Sequence, residues 1–537
     1  MMNHKFSFIC IAAAVLLIIS SCKKGAELYD DPYGGGQEVL QIDFLNSPPT
    51  PANGTAGQQM TFAVKGLKPD MKDQLTFLAN GMTATIAGYT DSTITIVLPE
   101  NVSTGGASLR VGGQIFPGPS FTIRGKLQRD PSFNPGTGAD GIINQILQLP
   151  NGNFLLAGSI FSYQGKDQAA GVNGFVQIDP TGNMMAGLSP GKGVSGFITN
   201  VLRLPSGEYL AGGTMSSYND VAGMNNIAML NSNASLKTRV VDLYVSPNVS
   251  DPGMATDTVS WFKGNLAGGG ITKLLYGNNQ VIAIGSFSRY GTYFYERSTK
   301  DNKLFGFIPV NQLVRMDLEG NLDSAYSYNL ASKQALPGGN GAVRDAFLQP
   351  DGKLILVGDF TTFRGKEANR IVRLNTDGSV DAGFQTGTGA DDAIYSIRYN
   401  ATTKKFVLTG NFSKFNNQVA DKLVILSADG QTDPGFKSAG FSGGVPTMAL
   451  QLSNGLVAVT GSYVTYNSIV RDGLMVLNAD GSLAAGYNAT GKLNGIVLDM
   501  IETRSGIGGM PAMIMVGYIN MFEGQPAGSI LKLVFNN

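Results

Sequence analysis

The sequence Gln349-Pro-Asp-Gly-Lys-Leu-Ile-Leu-Val-Gly-Asp-Phe-Thr-Thr-Phe-Arg-Gly365 contains a glycine, Gly358, with an aromatic residue, Phe363, five positions later. A glycine and an aromatic residue at this spacing recur along the chain about every 60 residues. A period of this length is typical of propeller blades and solenoid turns rather than of separate domains. The recurring pairs are Gly158/Tyr163, Gly213/Tyr218, Gly285/Tyr290, Gly358/Phe363, Gly410/Phe415, Gly461/Tyr466 and Gly517/Phe522.

Short apolar runs alternate with tight turns in each repeat. The runs Leu354–Val357 and Ile371–Leu374, for example, lie close to the dipeptides Asp351-Gly352 and Asp377-Gly378. Glycine reaches the positive φ that hairpin turns need, so such runs predict antiparallel strands. The stretches between them show no sustained helical period. Four strands in each of seven repeats predict an all-β fold, a seven-bladed β-propeller.

The two ends of the repeat region indicate how the ring closes. Residues 127–133 match the strand that ends other repeats, such as residues 378–384, whereas the last repeat stops after Ile530–Phe535. We therefore expect an N-terminal strand to complete the final blade and join the two ends. An open solenoid would need no such exchange of strands.

The repeats resemble the delta-60 repeat, a β-propeller repeat with an Asp-Gly-Lys turn, a Val-x-Gly-x-Phe motif and a later Leu-Asn-x-Asp-Gly. The match is best through Asp351–Lys353, Leu374–Gly378, Asp429-Gly430 and Asp480-Gly481, and the second, third and seventh repeats depart from it. The resemblance implies a β-propeller over residues 125–537. It says little about function, because propellers support binding and catalysis alike.

The N-terminus has a short apolar run, Phe6–Ile19, after Lys5, and it continues to Ser20-Ser21-Cys22. The run is shorter than the roughly 20 residues of a membrane span. The sequence that ends at Cys22 is similar to the lipobox of bacterial lipoproteins. This resemblance implies a signal peptide over residues 1–21 and lipidation of Cys22. The alternative is an ordinary signal peptide with an incidental cysteine.

The lipoprotein resemblance also implies a location. A lipidated Cys22 anchors the chain in a membrane, and Lys23-Lys24 follow it in place of an inner-membrane retention Asp. We therefore expect the outer membrane, with the protein facing either the periplasm or the cell surface. Residues 22–38 contain few apolar side chains and predict a flexible tether.

Composition excludes several classes of function. The chain has one histidine, His4, and two cysteines, Cys10 and Cys22. Cleavage before Cys22 leaves no histidine and one acylated cysteine, which excludes Ser-His-Asp and Cys-His catalysis and Cys/His zinc sites. We predict no catalytic residue, no metal and no cofactor. Basic and acidic side chains number 39 each and form no basic stripe, so no nucleic-acid partner is expected.

Residues 39–124 form a separate region in which apolar residues alternate, as in Met60–Val64. Such alternation predicts strands with one buried face. The region resembles a TIG/IPT immunoglobulin-like domain through the stretches Thr93–Pro99 and Gly105–Val111. The resemblance implies a small β-sandwich that acts as a spacer between the anchor and the propeller.

Two intervals between repeat glycines are 72 and 73 residues long, against 51 to 56 for the others. The surplus predicts two insertions, near residues 246–270 and 288–312, that emerge side by side on one face. Their aromatic residues allow three interpretations: a glycan-binding platform, a satellite core that holds the loops down, or a protein contact. The candidate ligand-binding residues are Trp261, Tyr293, Phe294, Tyr295, Arg297, Phe305 and Phe307.

A polar residue interrupts the first apolar strand of each repeat near its start. We expect these side chains to face the central channel, where they contact a polar ligand, a cation or water. The predicted channel-mouth residues are Gln145, Asn200, Thr272, Asp345, Ser396, Thr447 and Asp499.

Three classes of function remain. The preferred one is a lipid-anchored cell-envelope binding protein whose propeller face recognises an extracellular ligand, above all a glycan. The second is a scaffold or adhesion module for envelope proteins, and the third is a glycan hydrolase or lyase that uses two carboxylates. Asp140 and Asp391 end the same pentapeptide, which favours a role in capping turns over calcium binding. The candidate carboxylates, which favour no particular pair, are Asp140, Asp345, Asp391, Asp392 and Asp499.

Overall fold

The computed structural model describes residues 40–245, 255–438 and 440–536. The predicted signal peptide, the predicted lipidation site Cys22 and the predicted tether lie outside the described residues, as does part of the first insertion. Within the described ranges, no helix is both long and apolar enough to cross a membrane. The helices of the described chain are short and comprise Pro69–Gln74, Gln168–Ala170, Tyr295–Arg297 and Ser324–Ser327.

The first part of the described chain is a β-domain of eight strands. Their order is β1-β3-β6-β5-β4-β7-β8-β2, where the strands are β1 (Asp43–Phe44), β2 (Asn53–Gly54), β3 (Gln59–Lys65), β4 (Leu75–Ala79), β5 (Met82–Tyr89), β6 (Thr93–Val97), β7 (Gly105–Val111) and β8 (Gln114–Ile123). Strand β3 buries Met60, Phe62 and Val64, and strand β6 buries Ile94 and Ile96. The predicted alternation of buried and exposed residues is confirmed.

Seven of the sheets that follow in the described residues contain the repeat glycines, and we call them units one to seven. Each is built on three antiparallel strands. These strands, from unit one to unit seven, are β10 (Ile142–Gln148), β11 (Phe154–Ser159) and β12 (Phe175–Ile178); β13 (Val194–Arg203), β14 (Tyr209–Tyr218) and β16 (Ile227–Leu230); β20 (Ile271–Gly277), β21 (Gln280–Gly285) and β24 (Leu313–Met316); β27 (Val343–Leu348), β28 (Leu354–Gly358) and β31 (Ile371–Leu374); β32 (Ile394–Asn400), β33 (Lys405–Gly410) and β36 (Leu423–Ser427); β38 (Pro446–Gln451), β39 (Val457–Gly461) and β42 (Leu474–Leu477); and β43 (Leu493–Arg504), β44 (Pro511–Phe522) and β46 (Ile530–Phe535).

The units also contain short additional strands, most of them in hairpins. They are β15 (Val221–Ala222), β17 (Thr238–Asp242), β18 (Thr256–Ser260), β19 (Asn265–Ala267), β22 (Arg289–Tyr293), β23 (Phe305–Pro309), β25 (Tyr328–Asn329), β26 (Gln334–Ala335), β29 (Thr362–Phe363), β30 (Lys366–Glu367), β34 (Lys414–Phe415), β35 (Gln418–Val419), β37 (Phe441–Ser442), β40 (Thr465–Tyr466), β41 (Ile469–Val470) and β45 (Gln525–Pro526). In units one to six a fourth segment pairs with the third strand through a single bridge, such as that between Leu374 and Val380.

The first strands of the units form a closed ring. Each is in contact with the first strand of the next unit, and β43 of unit seven is in contact with β10 of unit one. The remaining strand, β9 (Leu127–Arg129), pairs with β46, the last strand of unit seven, in the register Leu533 to Arg129 and Phe535 to Leu127. The predicted all-β propeller fold is confirmed, and so is the completion of the last unit by an N-terminal strand.

The repeat glycines lie opposite a β-bulge in the first strand of their own unit. In unit four, for example, Gly358 pairs with Val343, and the register shifts between Val343 and Asp345. A Cβ atom added at any of the seven glycines would lie 2.0 to 2.2 Å from the backbone carbonyl oxygen of a residue within that strand or directly before it. Glycine is therefore required because two backbones approach more closely than a side chain allows.

Each repeat aromatic residue packs in a core shared by two neighbouring units. Phe363, for example, lies among residues of units three and four, and Phe415 among residues of units four and five. Where the aromatic residue is tyrosine, its hydroxyl donates to a carbonyl of the turn after the third strand, as from Tyr163 to Gly182 at 2.9 Å and from Tyr466 to Gly481 at 2.8 Å. The repeated pair is therefore scaffold.

The N-terminal domain is hydrogen-bonded to the propeller. The Thr104 N–H donates to the Ala489 carbonyl at 2.9 Å. The buried Arg471 of unit six donates from Nη2 to the Asn101 carbonyl at 2.7 Å. The Ser103 hydroxyl donates to the Val470 carbonyl at 3.3 Å. The domain thus lies against the sixth unit and the segment that follows it.

Candidate functional site

The central cavity lies at the start of the first strands. Its volume is about 690 Å³, and all seven predicted channel-mouth residues line it. In each first strand one residue directly follows the bulge, and we call the set of these seven residues the axial ring. The axial ring consists of Gln145, Asn200, Lys273, Asp345, Ser396, Met448 and Asp499.

The axial ring differs from the predicted residues in units three and six. Thr272 and Thr447 lie on the bulge itself, one residue before Lys273 and Met448, and they line the cavity from that position. In unit three the repeat glycine follows the ring position after 12 residues, whereas in unit one it follows after 13. The predicted residues of these two units therefore line the cavity from the bulge, and in unit three the shorter spacing explains the offset of one residue.

Polar ring residues connect neighbouring units. A bulge disrupts the ladder of a strand locally, so nearby backbone N–H groups need other acceptors. In four cases the side-chain oxygen of one ring residue accepts a hydrogen bond from a backbone N–H of the next unit. The donor is the residue directly after the ring residue of that unit. These bonds run from Val201 to Gln145 at 2.6 Å, from Leu274 to Asn200 at 2.8 Å, from Ile397 to Asp345 at 3.0 Å and from Ile146 to Asp499 at 3.1 Å.

The Asp345 carboxylate is fully engaged. Its Oδ1 lies 2.7 Å from Lys273 Nζ and accepts from the Ala346 N–H at 2.9 Å, and its Oδ2 accepts from Ile397. Burial alone would raise the pKa of this carboxyl, but Lys273, Arg398 and the Ile397 N–H outweigh burial and hold the pKa below its usual value. Asp345 is therefore ionised at neutral pH.

Asp499 has an equivalent set of partners. Its Oδ1 accepts from Arg398 Nη2 at 2.9 Å and from the Met500 N–H at 3.0 Å, while its Oδ2 accepts from Ile146. Arg398 belongs to unit five, so its side chain passes Met448 of unit six to reach unit seven. Burial alone would lower the pKa of Arg398, but Asp499 and Asp345 raise it. Arg398 is thus a fixed cation in the cavity wall.

The other three candidate carboxylates accept hydrogen bonds from loop residues. Asp140 accepts from the N–H groups of Phe161 at 3.0 Å and Ser162 at 2.7 Å, and Asp391 accepts from Ser413 and Lys414 in the same way. Asp392 accepts from the Asn411 amide at 2.6 Å. Within the described ranges, no group of three or more His, Cys, Asp or Glu side chains is arranged to hold a metal ion. Asp140 and Asp391 therefore act as turn caps.

The two insertions meet, as predicted, in a small sheet in which β19 of the first pairs with β22 of the second, and β22 with β23. Trp261 lies apart from the other candidate residues. Its half-buried ring packs on the core of units two and three, and Lys237 Nζ lies 4.3 Å above it. Lys237 in turn pairs with Glu208 at 2.7 Å. Trp261 is thus integrated into the scaffold.

The other six candidate residues lie together in the second insertion. Ring centroids are 4.4 Å apart between Tyr293 and Phe305, and 4.3 Å apart between Phe305 and Phe307. Tyr295 stacks on Tyr293 at 5.5 Å, and its ring packs on a small core of three residues around Val241. The two remaining residues, Phe294 and Arg297, lie 5.7 Å apart in a cation–π contact. Much of this aromatic surface is therefore engaged in packing within the insertions.

A second group of exposed apolar side chains was not recognised in the sequence. In each first strand one residue pairs with the repeat glycine. The residue directly before it is Ile496 in unit seven, Ile142 in unit one and Phe197 in unit two. The remaining units have Gly270, Ala342, Ala393 and Val445 there. This contrast is the sequence signal that could have revealed the group. With their exposed neighbours, these residues form what we call the apolar arc: Ile142, Phe161, Phe197, Ile496, Leu498 and Tyr518.

Comparison with known families supports the fold. Residues 349–384, which lie in unit four, match a family described as a domain of unknown function (DUF5122) beta-propeller. Residues 17–119 match a family described as a domain of unknown function (DUF5008). No curated protein matches the chain.

Several solved structures are similar at low identity. A computationally designed protein, Ika8, is 10% identical with a TM-score of 0.37, covering 76% of this chain and 99% of its own. A gluconolactonase from Xanthomonas campestris is 11% identical with a TM-score of 0.28, covering 76% and 99%. An auxiliary nutrient binding protein from Bacteroides ovatus is 8% identical with a TM-score of 0.23, covering 93% and 91%. Scores this low do not bear on function. The chain is a β-propeller protein with an additional N-terminal β-domain.

Proposed function

We propose that this protein binds an extracellular glycan in the axial cavity and does not transform it. The observation that carries the proposal is the state of the two cavity carboxylates. Asp345 and Asp499 each hold two backbone N–H groups and one cation. A glycosidase needs one carboxyl that is protonated and another that is free to act as base or nucleophile. These two carboxylates are committed to the scaffold.

The charge balance of the cavity favours a neutral ligand. Each cation of the wall is paired with a carboxylate: Lys273 with Asp345, Arg398 with Asp499, and Arg344 with Asp359. An ionic ligand would have to break one of these pairs or remain uncompensated. A neutral, polar ligand does not have this cost.

Hydroxyl and amide groups complete the wall. Thr272, Tyr395 and Thr447 carry hydroxyls and line the cavity. Asn144 and Thr199 also line it, with the Asn144 amide donating to the Ile198 carbonyl and the Thr199 hydroxyl to the Ile271 carbonyl. Binding sites fix a ligand through a few such polar groups set in a concave surface. Sugars offer several hydroxyls that both donate and accept, which suits this lining.

We also propose that the protein is held at the outer membrane by lipidation of Cys22. The support is the sequence that ends in Ser20-Ser21-Cys22 after an apolar run. An anchored binding protein would present its propeller to glycans at the cell envelope. Metabolic labelling with a fatty-acid analogue tests the anchor, since Cys22→Ser should abolish the label.

A glycan array probed with the full-length protein in detergent tests the function. We expect retention of a restricted group of neutral glycans. A parallel assay for released reducing ends should show no turnover of the retained glycans. Absence of retention on the whole array would contradict the proposal, and turnover would support the hydrolase or lyase instead.

A further inference from the structure

Four aromatic rings of the second insertion form one continuous row. Phe305 and Phe307 on β23 are the cross-strand partners of Tyr293 and Gly291 on β22, so these residues share one face of the sheet. Ring centroids are 4.3 Å apart between Phe307 and Phe305 and 4.4 Å apart between Phe305 and Tyr293, and Tyr295 follows at 5.5 Å from Tyr293. We call Phe307, Phe305, Tyr293 and Tyr295 the aromatic row.

An arginine lies at each end of the aromatic row. Arg289 Cζ is 5.9 Å from the ring centroid of Phe307, and Arg239 Cζ is 5.6 Å from that of Tyr295. Arg289 and Tyr293 are the first and last residues of β22, a span of about 13 Å at the rise of a strand. The two arginines therefore flank a surface that is longer than a single sugar ring.

These arginines differ from others in the described chain that also lie over an aromatic ring. The four that have a further partner, a carboxylate or a backbone carbonyl, are Arg129, Arg315, Arg344 and Arg373. Arg239, Arg289 and Arg297 form no ion pair with a carboxylate of the described residues. A guanidinium that stacks on a ring still presents its planar N–H donors to a carboxylate.

Nearby acidic side chains do not neutralise the arginines. Asp257, on the strand that pairs with β17, is held by Lys303 at 2.8 Å. Asp242 is three residues from Arg239 on β17 and therefore lies on the opposite face of that strand. Residues 288–312 have four basic and two acidic side chains, a net charge of +2. This surface thus favours an anion, unlike the axial cavity.

The aromatic row is open to solvent at the Phe307 end. Phe307 is 46% exposed, and Arg289 beside it is exposed, while the other three rings are half-buried. A uronate sugar has an apolar C–H face and a carboxylate at its edge. It therefore fits an aromatic ring that lies beside an arginine without a carboxylate partner.

The position of the row favours a sugar chain over an acidic peptide. An extended peptide binds a sheet by adding a strand at its edge. The edge strand here is β23, which ends in Pro309, a residue without a backbone N–H. The rings and Arg289 lie on the face of the sheet, where a stacked sugar makes its contacts.

We propose that the aromatic row binds a linear acidic glycan, a chain of uronate sugars, at a second site separate from the axial cavity. The carboxylate of one sugar pairs with Arg289 while the apolar face of that sugar stacks on Phe307. A carboxylate further along the chain reaches Arg239. The proposal goes beyond the proposed function, because the ligand is charged whereas the cavity favours a neutral one.

Calorimetry at low salt with the full-length protein in detergent tests this proposal. The probes are linear tetramers of galacturonate, glucuronate and mannuronate, each with its methyl ester as the uncharged counterpart. Arg289→Gln should weaken tetramer binding roughly tenfold or more, and Phe307→Ala roughly three- to tenfold. Arg110→Gln and Phe161→Ala are the matched controls, because both side chains are exposed outside the insertions. The thermal melt of Arg289→Gln should match that of the wild type, since Arg289 is exposed.

The outcomes separate this site from the proposed function. Tetramer binding that is weakened in Arg289→Gln and unchanged in the cavity double variant Tyr395→Phe, Thr447→Val supports the proposal. Wild-type affinity in Arg289→Gln, or equal binding of the tetramers and their methyl esters, overturns it and leaves the cavity site standing. Failure of the wild type to bind any tetramer overturns it as well. A hexa-aspartate peptide that binds where no tetramer does, and is lost in Arg289→Gln, overturns it in favour of an acidic peptide.

Discussion

Arg398 of unit five donates from Nη2 to Oδ1 of Asp499 in unit seven at 2.9 Å, and thereby bridges unit six at the axis of the propeller. Asp499 also accepts from two backbone N–H groups, so the arginine completes a buried acceptor set. The pair thus belongs to the framework of the cavity.

Removal of this cation should destabilise the protein. Arg398→Met leaves Asp499 with one charged partner fewer, which costs about 1.5 to 3 kcal/mol for a hydrogen bond to a charged group. Urea denaturation measures the loss. Arg344→Met is the control, because the Arg344 side chain is 46% exposed in its pair with Asp359 and such pairs contribute about 1 kcal/mol or less. Equal effects of the two substitutions would contradict the structural role of Arg398.

The closure of the ring depends on a second ion pair. Lys532 in β46 and Asp130, directly after β9, have side chains that are 0% exposed, with 3.2 Å between Nζ and Oδ2. Lys532→Met leaves a buried carboxylate without its cation and should cost about 3 to 5 kcal/mol in the free energy of unfolding. Lys192→Met, which removes an exposed pair with Asp220, should have no measurable effect. An unchanged unfolding midpoint for Lys532→Met would show that the pair does not secure the closure.

Asp130 should also make stability depend on pH. Burial alone would raise its pKa, but hydrogen bonds from Ser132 and Ser505 and the charge of Lys532 lower it. A carboxyl with a lowered folded-state pKa contributes stability above its unfolded value of about 3.9, and this contribution is lost as the pH falls through the folded value. The difference in melting temperature between wild type and Asp130→Asn should therefore be largest near neutral pH and narrow below about pH 4. A difference that grows on acidification would contradict this assignment.

Trp261 provides a test of the insertion as a glycan platform. Its ring packs on the core of units two and three beneath Lys237, so Trp261→Ala should lower stability by about 2 kcal/mol, less than for a fully buried tryptophan. Glycan binding should remain unchanged at temperatures where the variant is folded. Loss of binding with an unchanged melting temperature would favour the insertion platform over the cavity.

Much of the fold is predictable from the sequence because the repeated residues are those that the local backbone geometry requires. Gly358 and its equivalents recur since a Cβ atom would clash with a carbonyl oxygen of the neighbouring strand. Residues 127–133 match the strand that ends other repeats, and this match predicts how the ring closes. In the structure β9 pairs with β46 and thereby completes unit seven.

The candidate site is only partly predictable. The polar channel residues stand out because they interrupt apolar strands, but their bonds to the next unit, as from Val201 to Gln145, depend on how the units pack. Phe197 and Tyr518 lie in strands that read as ordinary apolar runs. Phe197 is 60% exposed and Tyr518 is 49% exposed, which depends on how the units pack and not on the repeat spacing. Composition alone also could not show that the insertion aromatics pack on one another.

The central claim is that the axial cavity binds a neutral glycan. Calorimetric titration of the full-length protein with the glycan retained on the array tests it most directly. Tyr395 and Thr447 both line the cavity, and the double variant Tyr395→Phe, Thr447→Val removes their hydroxyls while leaving the axial ring intact. Each lost hydrogen bond costs about 1 kcal/mol, so we predict a loss of affinity of roughly tenfold or more with an unchanged melting temperature. Equal affinity of the variant and the wild type would contradict the claim.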